Sequence, residues 1–172
     1  QDKLLDLGCG YGLVGIWAAK QIGADQVVMC DISETAVAVA KKNCERNGVA
    51  VAVYQSDGLK DLPPELSFTK ILSNPPYHED FSVPKGFIEL GYKRLLTGGV
   101  IYMVTKRKDW YYNKLKAVFG GVRVDEIDGY YVFTAEKRER NPVEKKKNEQ
   151  IMSKKLQRKM SKKKQSRKSD MK

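Results

Sequence analysis

The sequence predicts an α/β domain built on a mostly parallel sheet, and three observations carry that expectation. Short β-rich runs alternate with segments of helical spacing. Asp6, Asp31 and Asp57 stand at the carboxyl ends of three successive runs, with a glycine-rich turn after the first. Asp128-Gly129 separates the last two runs, a strong signal for an antiparallel hairpin.

The elements follow in order. Residues 3–7 read as a first strand, closed by Asp6-Leu7-Gly8-Cys9-Gly10-Tyr11-Gly12, and the spacing of Leu13, Ile16 and Trp17 marks a helix over 13–22. Residues 26–30 form a second strand ending at Asp31. Ser33 caps the next helix, whose apolar stripe is Ala36, Val37, Ala40 and Cys44, and Asn47-Gly48 stops it. Residues 49–54 make a third strand. A fourth, 70–72, runs into Ser73-Asn74-Pro75-Pro76-Tyr77. A loop over 79–84, a helix over 85–96 ended by Gly98-Gly99, a strand over 100–105, a helix over 110–119 and strands over 122–127 and 130–135 complete the chain. Crossover segments between the first five strands, closed by one hairpin, leave a single reversed strand.

With 172 residues, 41% of them apolar, the chain has enough material for one core and an appendage. No apolar run approaches the roughly 18 residues of a membrane helix. The expectation is therefore a soluble, cytoplasmic protein with no membrane partner. The chain opens at Gln1, without an initiator Met or signal peptide, which predicts an upstream segment. Charge is unevenly spread: residues 137–172 hold 16 of the 32 Lys and Arg against 4 acidic residues, a net of +12, while residues 1–136 net −1. That shift sets a boundary between a domain over 1–137 and a lysine-rich tail over 138–172, disordered or partly helical. Cys9, Cys30 and Cys44 form no CxxC pair, which argues for small core residues in a reducing compartment and against a disulfide frame or a metal site.

Gly10-Tyr11-Gly12-Leu13-Val14-Gly15 fits GxGxxG, and Asp31 lies 19 residues past Gly12, so a dinucleotide enzyme is one candidate. A carboxylate at Asp6, at the mouth of the turn, suits an ammonium or sulfonium better than a pyrophosphate. Nothing downstream resembles a hydride-transfer site. S-adenosyl-L-methionine meets all four positions: its amino group and sulfur near Asp6, its carboxylate on the N–H groups of the Gly8, Gly10 and Gly12 turn, its ribose hydroxyls on Asp31, and its adenine amine on Asp57. Ile32 and Leu59 are candidate walls for the adenine. Asn74, Pro75 and Tyr77 sit at a strand end, where open α/β sheets place their chemistry. An amide, a rigid diproline and a ring suit a flat, amine-bearing acceptor.

Asp-Leu-Gly-Cys-Gly-Tyr-Gly, Cys-Asp-Ile-Ser, Ser-Asp-Gly-Leu and Ser-Asn-Pro-Pro-Tyr-His, in this order, resemble the class I S-adenosylmethionine-dependent methyltransferases. Over residues 1–137 the chain is most similar to the small-domain group that contains the bacterial 16S ribosomal RNA guanine-N2 methyltransferases. The resemblance implies a Rossmann-like three-layer sandwich whose seven-stranded, mostly parallel sheet ends in an antiparallel hairpin. It implies methyl transfer to an exocyclic amine, guanine N2 in ribosomal RNA foremost. Asn74, Pro75 and Tyr77 would be the catalytic residues, and Asp6, Gly8, Gly10, Gly12, Asp31, Ile32, Asp57 and Asn74 the cofactor contacts. Asn-Pro-Pro-Tyr also serves protein glutamine methylation in release factors and adenine-N6 methylation. A non-catalytic RNA-binding protein on the same fold is the alternative of another class.

Nucleic acid is the expected partner. Lys106-Arg107-Lys108-Asp109-Trp110-Tyr111-Tyr112 follows the fifth strand on the edge that carries Asn74. Either Trp110 stacks on an unpaired base or it begins the next helix and faces the core. The tail's lysines suit phosphates, with Met152, Leu156 and Met160 recurring every four residues. His78, the single histidine, is read as a loop residue beside the substrate.

Overall fold

In the computed structural model, which describes residues 2–76 and 81–139, seven strands join in one sheet. They are β1 (Leu4–Leu7), β2 (Val27–Asp31), β3 (Ala52–Gln55), β4 (Phe68–Ser73), β5 (Leu95–Thr105), β6 (Arg123–Ile127) and β7 (Tyr130–Glu136), in the order β3-β2-β1-β4-β5-β7-β6. All neighbours run parallel except β7, which is antiparallel to both β5 and β6. The expected single reversed strand is therefore β7, and Asp128-Gly129 makes the hairpin turn. Residues Gln1–Arg138 form one compact unit; the tail from residue 140 onward lies outside the described residues.

Among the described residues four α-helices flank the sheet: α1 (Leu13–Ile22), α2 (Glu34–Arg46), α3 (Ser82–Arg94) and α4 (Asp109–Phe119). Strand side chains alternate between faces, and because helices cover both, the central strands are largely apolar on each face. Leu5 and Leu7 join Val28, Cys30, Phe68, Ile71, Ile101 and Phe133 in the core shared with α3 and α4. Leu4, Val27 and Met29 face the other way, against Ile16 and Ala19 of α1 and Val37, Ala40 and Cys44 of α2.

Of the element ends that differ from the sequence expectation, three have a clear local reason. β3 starts at Ala52 rather than 49, because the Gly48 and Val49 N–H groups are spent on closing α2, donating to Glu45 O and Cys44 O at 3.1 Å each. α3 starts at Ser82 rather than 85, since a proline fits the first turn of a helix and Pro84 lies inside it. α3 also ends earlier, at Arg94; Leu95 already pairs with Phe68, and the register jumps before Lys70 meets Val100. Residues 96–99 absorb that jump, with Gly98 at φ 81°.

Gly15 shows how tightly α1 lies on β2. A Cβ there would fall 2.2 Å from Met29 Sδ and 3.2 Å from Asp6 Oδ2, and Met29 is fully buried. Gly15→Ala therefore overpacks the core at a cost of about 1–3 kcal/mol. The expected outcome is a melting temperature lowered by several degrees in a circular dichroism melt; an unchanged melt contradicts this packing.

Candidate functional site

Register brings the tips of the central strands level. Leu7 stands opposite Cys30 on one side and Ser73 on the other, and Asp31 opposite Gln55. Gly8, Asp31, Ser56 and Asn74 therefore leave the sheet side by side. Hydrogen bonds lace the tips together. Gly8 and Cys9 N–H both donate to Cys30 O, at 2.9 and 3.0 Å, and Ser56 N–H donates to Asp31 O at 2.9 Å. The buried Ser73 hydroxyl donates to Leu7 O at 2.9 Å. Asp31 accepts from Gly10 N–H on one carboxylate oxygen and from Ser33 N–H on the other, both at 2.9 Å. Each oxygen keeps a lone pair for a further donor. Ser33 is also the α2 cap, its Oγ accepting from Ala36 N–H at 3.2 Å.

The turn between β1 and α1 needs glycine where φ is positive. Gly10 lies at φ 54° and Gly12 at φ 88°, and a Cβ on Gly10 would meet nothing within 4 Å. Open space above an N–H-bearing turn is what a ligand needs to approach the backbone. α1 begins at this point without a side-chain cap, so its first N–H groups and its dipole favour a negative group. Beneath the turn, Asp6 is 5% exposed and accepts from Gly15 N–H at 2.8 Å. Burial pushes its carboxyl up to about 6; the Gly15 N–H pulls the other way and the charge of Asp31 adds to the rise. The sequence put Asp6 at the mouth of the turn, whereas the structure puts it on the floor.

Two cavities open on this edge. One, of about 310 Å³, is lined by Asp31, Ile32, Asp57, Pro76, Val83 and Phe87 among others. A second, of about 400 Å³, is lined by Asp6, Gly10, Tyr11, Leu72, Tyr102 and Val104 among others. Gly8 and Asn74 line both. Gly12 lies beside them as the residue preceding α1, with no place in either lining. Ile32 is 65% exposed and free to cover a flat ring. Leu59 is not a wall: it is fully packed in the core, and Val83 and Phe87 of α3 take that place. Their spacing of four residues marks an apolar helix stripe, which sequence alone assigns to the core rather than to a cavity. Asp57 lines the first cavity while its carboxylate pairs with Lys60 on the surface, a contact that water screens.

Pro75 is buried and Asn74 exposed. Tyr77 and His78 lie outside the described residues. Trp110 stacks on Phe81 at 4.4 Å between ring centres and meets Tyr111 edge-on, so of its two readings the core-facing one holds. No group of His, Cys, Asp and Glu fit for a metal occurs among the described residues, and none of their helices is long and apolar enough to cross a membrane.

Residues 1–134 match the family described as the methyltransferase small domain. The chain belongs to that family. It is 32% identical over 142 residues to the uncharacterized protein YbxB of Bacillus subtilis, covering 80% of this chain and 71% of that one. Ribosomal RNA small subunit methyltransferase C of Shewanella amazonensis is 33% identical over 80% of this chain, which spans only 41% of that protein. Among solved structures, the Thermus thermophilus 16S rRNA N2 G1207 methyltransferase, in complex with AdoMet and guanosine, superposes with a TM-score of 0.69. It is 30% identical, covering 80% of this chain and 38% of that one. The ribosomal protein L11 methylase of Lactobacillus delbrueckii, at 20% identity and a TM-score of 0.64, shares the fold.

A carboxyl raised from 3.8 to about 6 on folding stabilises the protein fully below the lower value, and that contribution is lost as pH rises through the higher one. Asp6→Asn keeps an acceptor for Gly15 N–H and removes the titration. Denaturant melts at pH 4 and pH 7.5 should show wild type losing about 2–3 kcal/mol relative to the variant across that interval. A constant difference contradicts the buried carboxyl.

Proposed function

We propose that this chain transfers the methyl group of S-adenosyl-L-methionine to an exocyclic amine of a nucleobase, guanine N2 of ribosomal RNA being the favoured acceptor. The observation that carries the reading is the pair of cavities meeting at Gly8 and Asn74, one flanked by an acidic residue and apolar walls, the other by the glycine turn. Its closeness to a guanine-N2 enzyme solved with AdoMet and guanosine supports the choice of acceptor.

The residues present fit that cofactor. Asp31 has carboxylate lone pairs at the rim for two ribose hydroxyls, and Ile32, Val83 and Phe87 offer apolar surface to adenine, with Asp57 near its amine. The Gly8, Gly10 and Gly12 N–H groups, expected from sequence to hold the carboxylate, are given instead to Cys30 O, Asp31 Oδ2 and Cys9 O, so the uncapped start of α1 is what suits a carboxylate, and Asp6 below it suits an ammonium. When bound, the cofactor supplies an electrophilic methyl group on a sulfonium.

Catalysis then rests on Asn74 and its neighbours. A nucleobase amine is a weak nucleophile because its lone pair is delocalised into the ring. The Asn74 side-chain carbonyl and the Pro75 backbone carbonyl each accept one amine hydrogen, which favours a pyramidal nitrogen and stabilises the positive charge that grows on it. Tyr77, outside the described residues, is assigned the role of stacking on the base from its place in the Asn-Pro-Pro-Tyr sequence alone. Orientation supplies most of the remaining acceleration, and the surplus proton leaves to water.

Asn74→Ala should leave cofactor affinity nearly intact and slow methyl transfer about a hundredfold, the size of losing one such electrostatic contact. Unchanged turnover rules the clasp out. The acceptor is tested by offering labelled S-adenosylmethionine with ribosomal subunits, free ribosomal RNA, DNA and release factor in parallel. Label in N2-methylguanosine is the expected result, and label in a glutamine or in N6-methyladenine overturns it.

A further inference from the structure

Three consecutive cations follow β5 on the sheet edge that carries Asn74. Lys106, Arg107 and Lys108 are exposed, and none of them is ion-paired among the described residues. Each is instead seated on a ring. Lys106 Nζ lies 5.0 Å from the centre of Tyr130, the Arg107 guanidinium 5.1 Å from Phe81, and Lys108 Nζ 5.2 Å from Tyr131. Their loop is pinned at both ends. The buried Thr105 hydroxyl oxygen accepts from Arg107 N–H at 3.2 Å, and Lys108 O accepts from Tyr112 N–H at 2.9 Å.

Successive strand residues face opposite sides, so Tyr130 and Tyr131 hold Lys106 and Lys108 on opposite faces of the sheet. Arg107 sits between them, over the ring of Phe81, which precedes α3 and stacks on Trp110. The cations thus wrap a rim instead of lying on one flat patch. A ring face attracts a cation by about 0.5–1 kcal/mol at an exposed site, enough to bias its position without neutralising its charge. Ser73 pairs with Met103, so Lys106, just past the neighbouring strand, stands about two residue steps beyond Asn74, roughly 8 Å away.

We propose that Lys106, Arg107 and Lys108 seat the phosphodiester backbone of the RNA segment that presents its base to Asn74. The inference rests on the nucleobase reading above. A line of positive charge over a rim, without an ion pair among the described residues, matches a polyanionic strand that bends as it delivers one base. Such phosphate contacts position the strand without reading its sequence.

The test uses the full chain and a short single-stranded ribosomal RNA oligonucleotide, with affinity measured against salt. The variant Lys106→Ala/Arg107→Ala/Lys108→Ala is compared with Lys41→Ala/Lys42→Ala/Arg46→Ala, which removes the same charge from the exposed face of α2. S-adenosylhomocysteine affinity serves as the folding control. The rim variant should bind RNA about tenfold or more weakly, with a salt slope shallower by about 2 than wild type, while the α2 variant changes little. Equal losses in the two variants overturn the proposal, as does competition for the rim by polyglutamate as strong as by RNA, which points to an acidic protein partner. Methyl transfer to RNA by wild type is read in parallel. Transfer without a rim effect overturns this inference and leaves the substrate reading standing; a rim effect without transfer overturns the substrate reading and the delivery of a base to Asn74, leaving only the phosphate seat.

Discussion

Everything at the site depends on β1, β2 and β4 ending level. β1 is the strand where the sheet's order turns: the chain moves outward through β2 and β3, then returns to β4 on the other side. Connections on either side of such a point diverge and leave a crevice at the carboxyl ends. Leu7 aligned with Cys30 and Ser73 puts Gly8, Asp31 and Asn74 at one height along that crevice. A slip of one residue in either pairing would turn every following side chain to the opposite face and separate them. The lacing of Cys30 O, Leu7 O and Asp31 by neighbouring N–H and O–H groups holds the tips against that slip.

Charge is sorted along the same edge. Acidic side chains, Asp6, Asp31 and Asp57, stand around the cavities proposed for a cationic cofactor, and the cations Lys106, Arg107 and Lys108 stand along the rim proposed for an anionic substrate. The helices do not share the sheet evenly. α1 and α2 pack on β1, β2 and β3, while Leu72, half-buried at the margin of that core, lines the second cavity together with the half-buried Tyr102 and Val104. The result is a crevice that is apolar on its walls, acidic near the cofactor position and basic beyond it.

Much of this was legible in the residues. Glycine turns, the Ser33 cap, the Asp-Gly hairpin and the strand-end aspartates each carry a local rule, and local rules survive folding. What the sequence hid depends on contacts distant along the chain. Asp6 borders the glycine turn in sequence, and the Gly15 N–H and burial, which no local pattern announces, set it on the floor of the second cavity with a raised pKa. Leu59 looked like a cavity wall from its place after Asp57, whereas Phe87, 28 residues further on, takes that role; a helix stripe does not say which cavity it borders. Trp110 has two readings in sequence, and the ring that decides between them, Phe81, lies 29 residues away. The ring seats under Lys106, Arg107 and Lys108 likewise pair residues that no local pattern connects.

The central claim is that one cofactor lies across the level strand tips and passes Asn74. Titration of isotope-labelled protein with S-adenosylhomocysteine, followed by amide chemical shifts, tests it most directly. The account predicts shifts at Gly8, Gly10, Ile32, Gly58 and the Asn74 side chain together, saturating at a single affinity. Saturable binding that leaves those signals in place and moves others would contradict it.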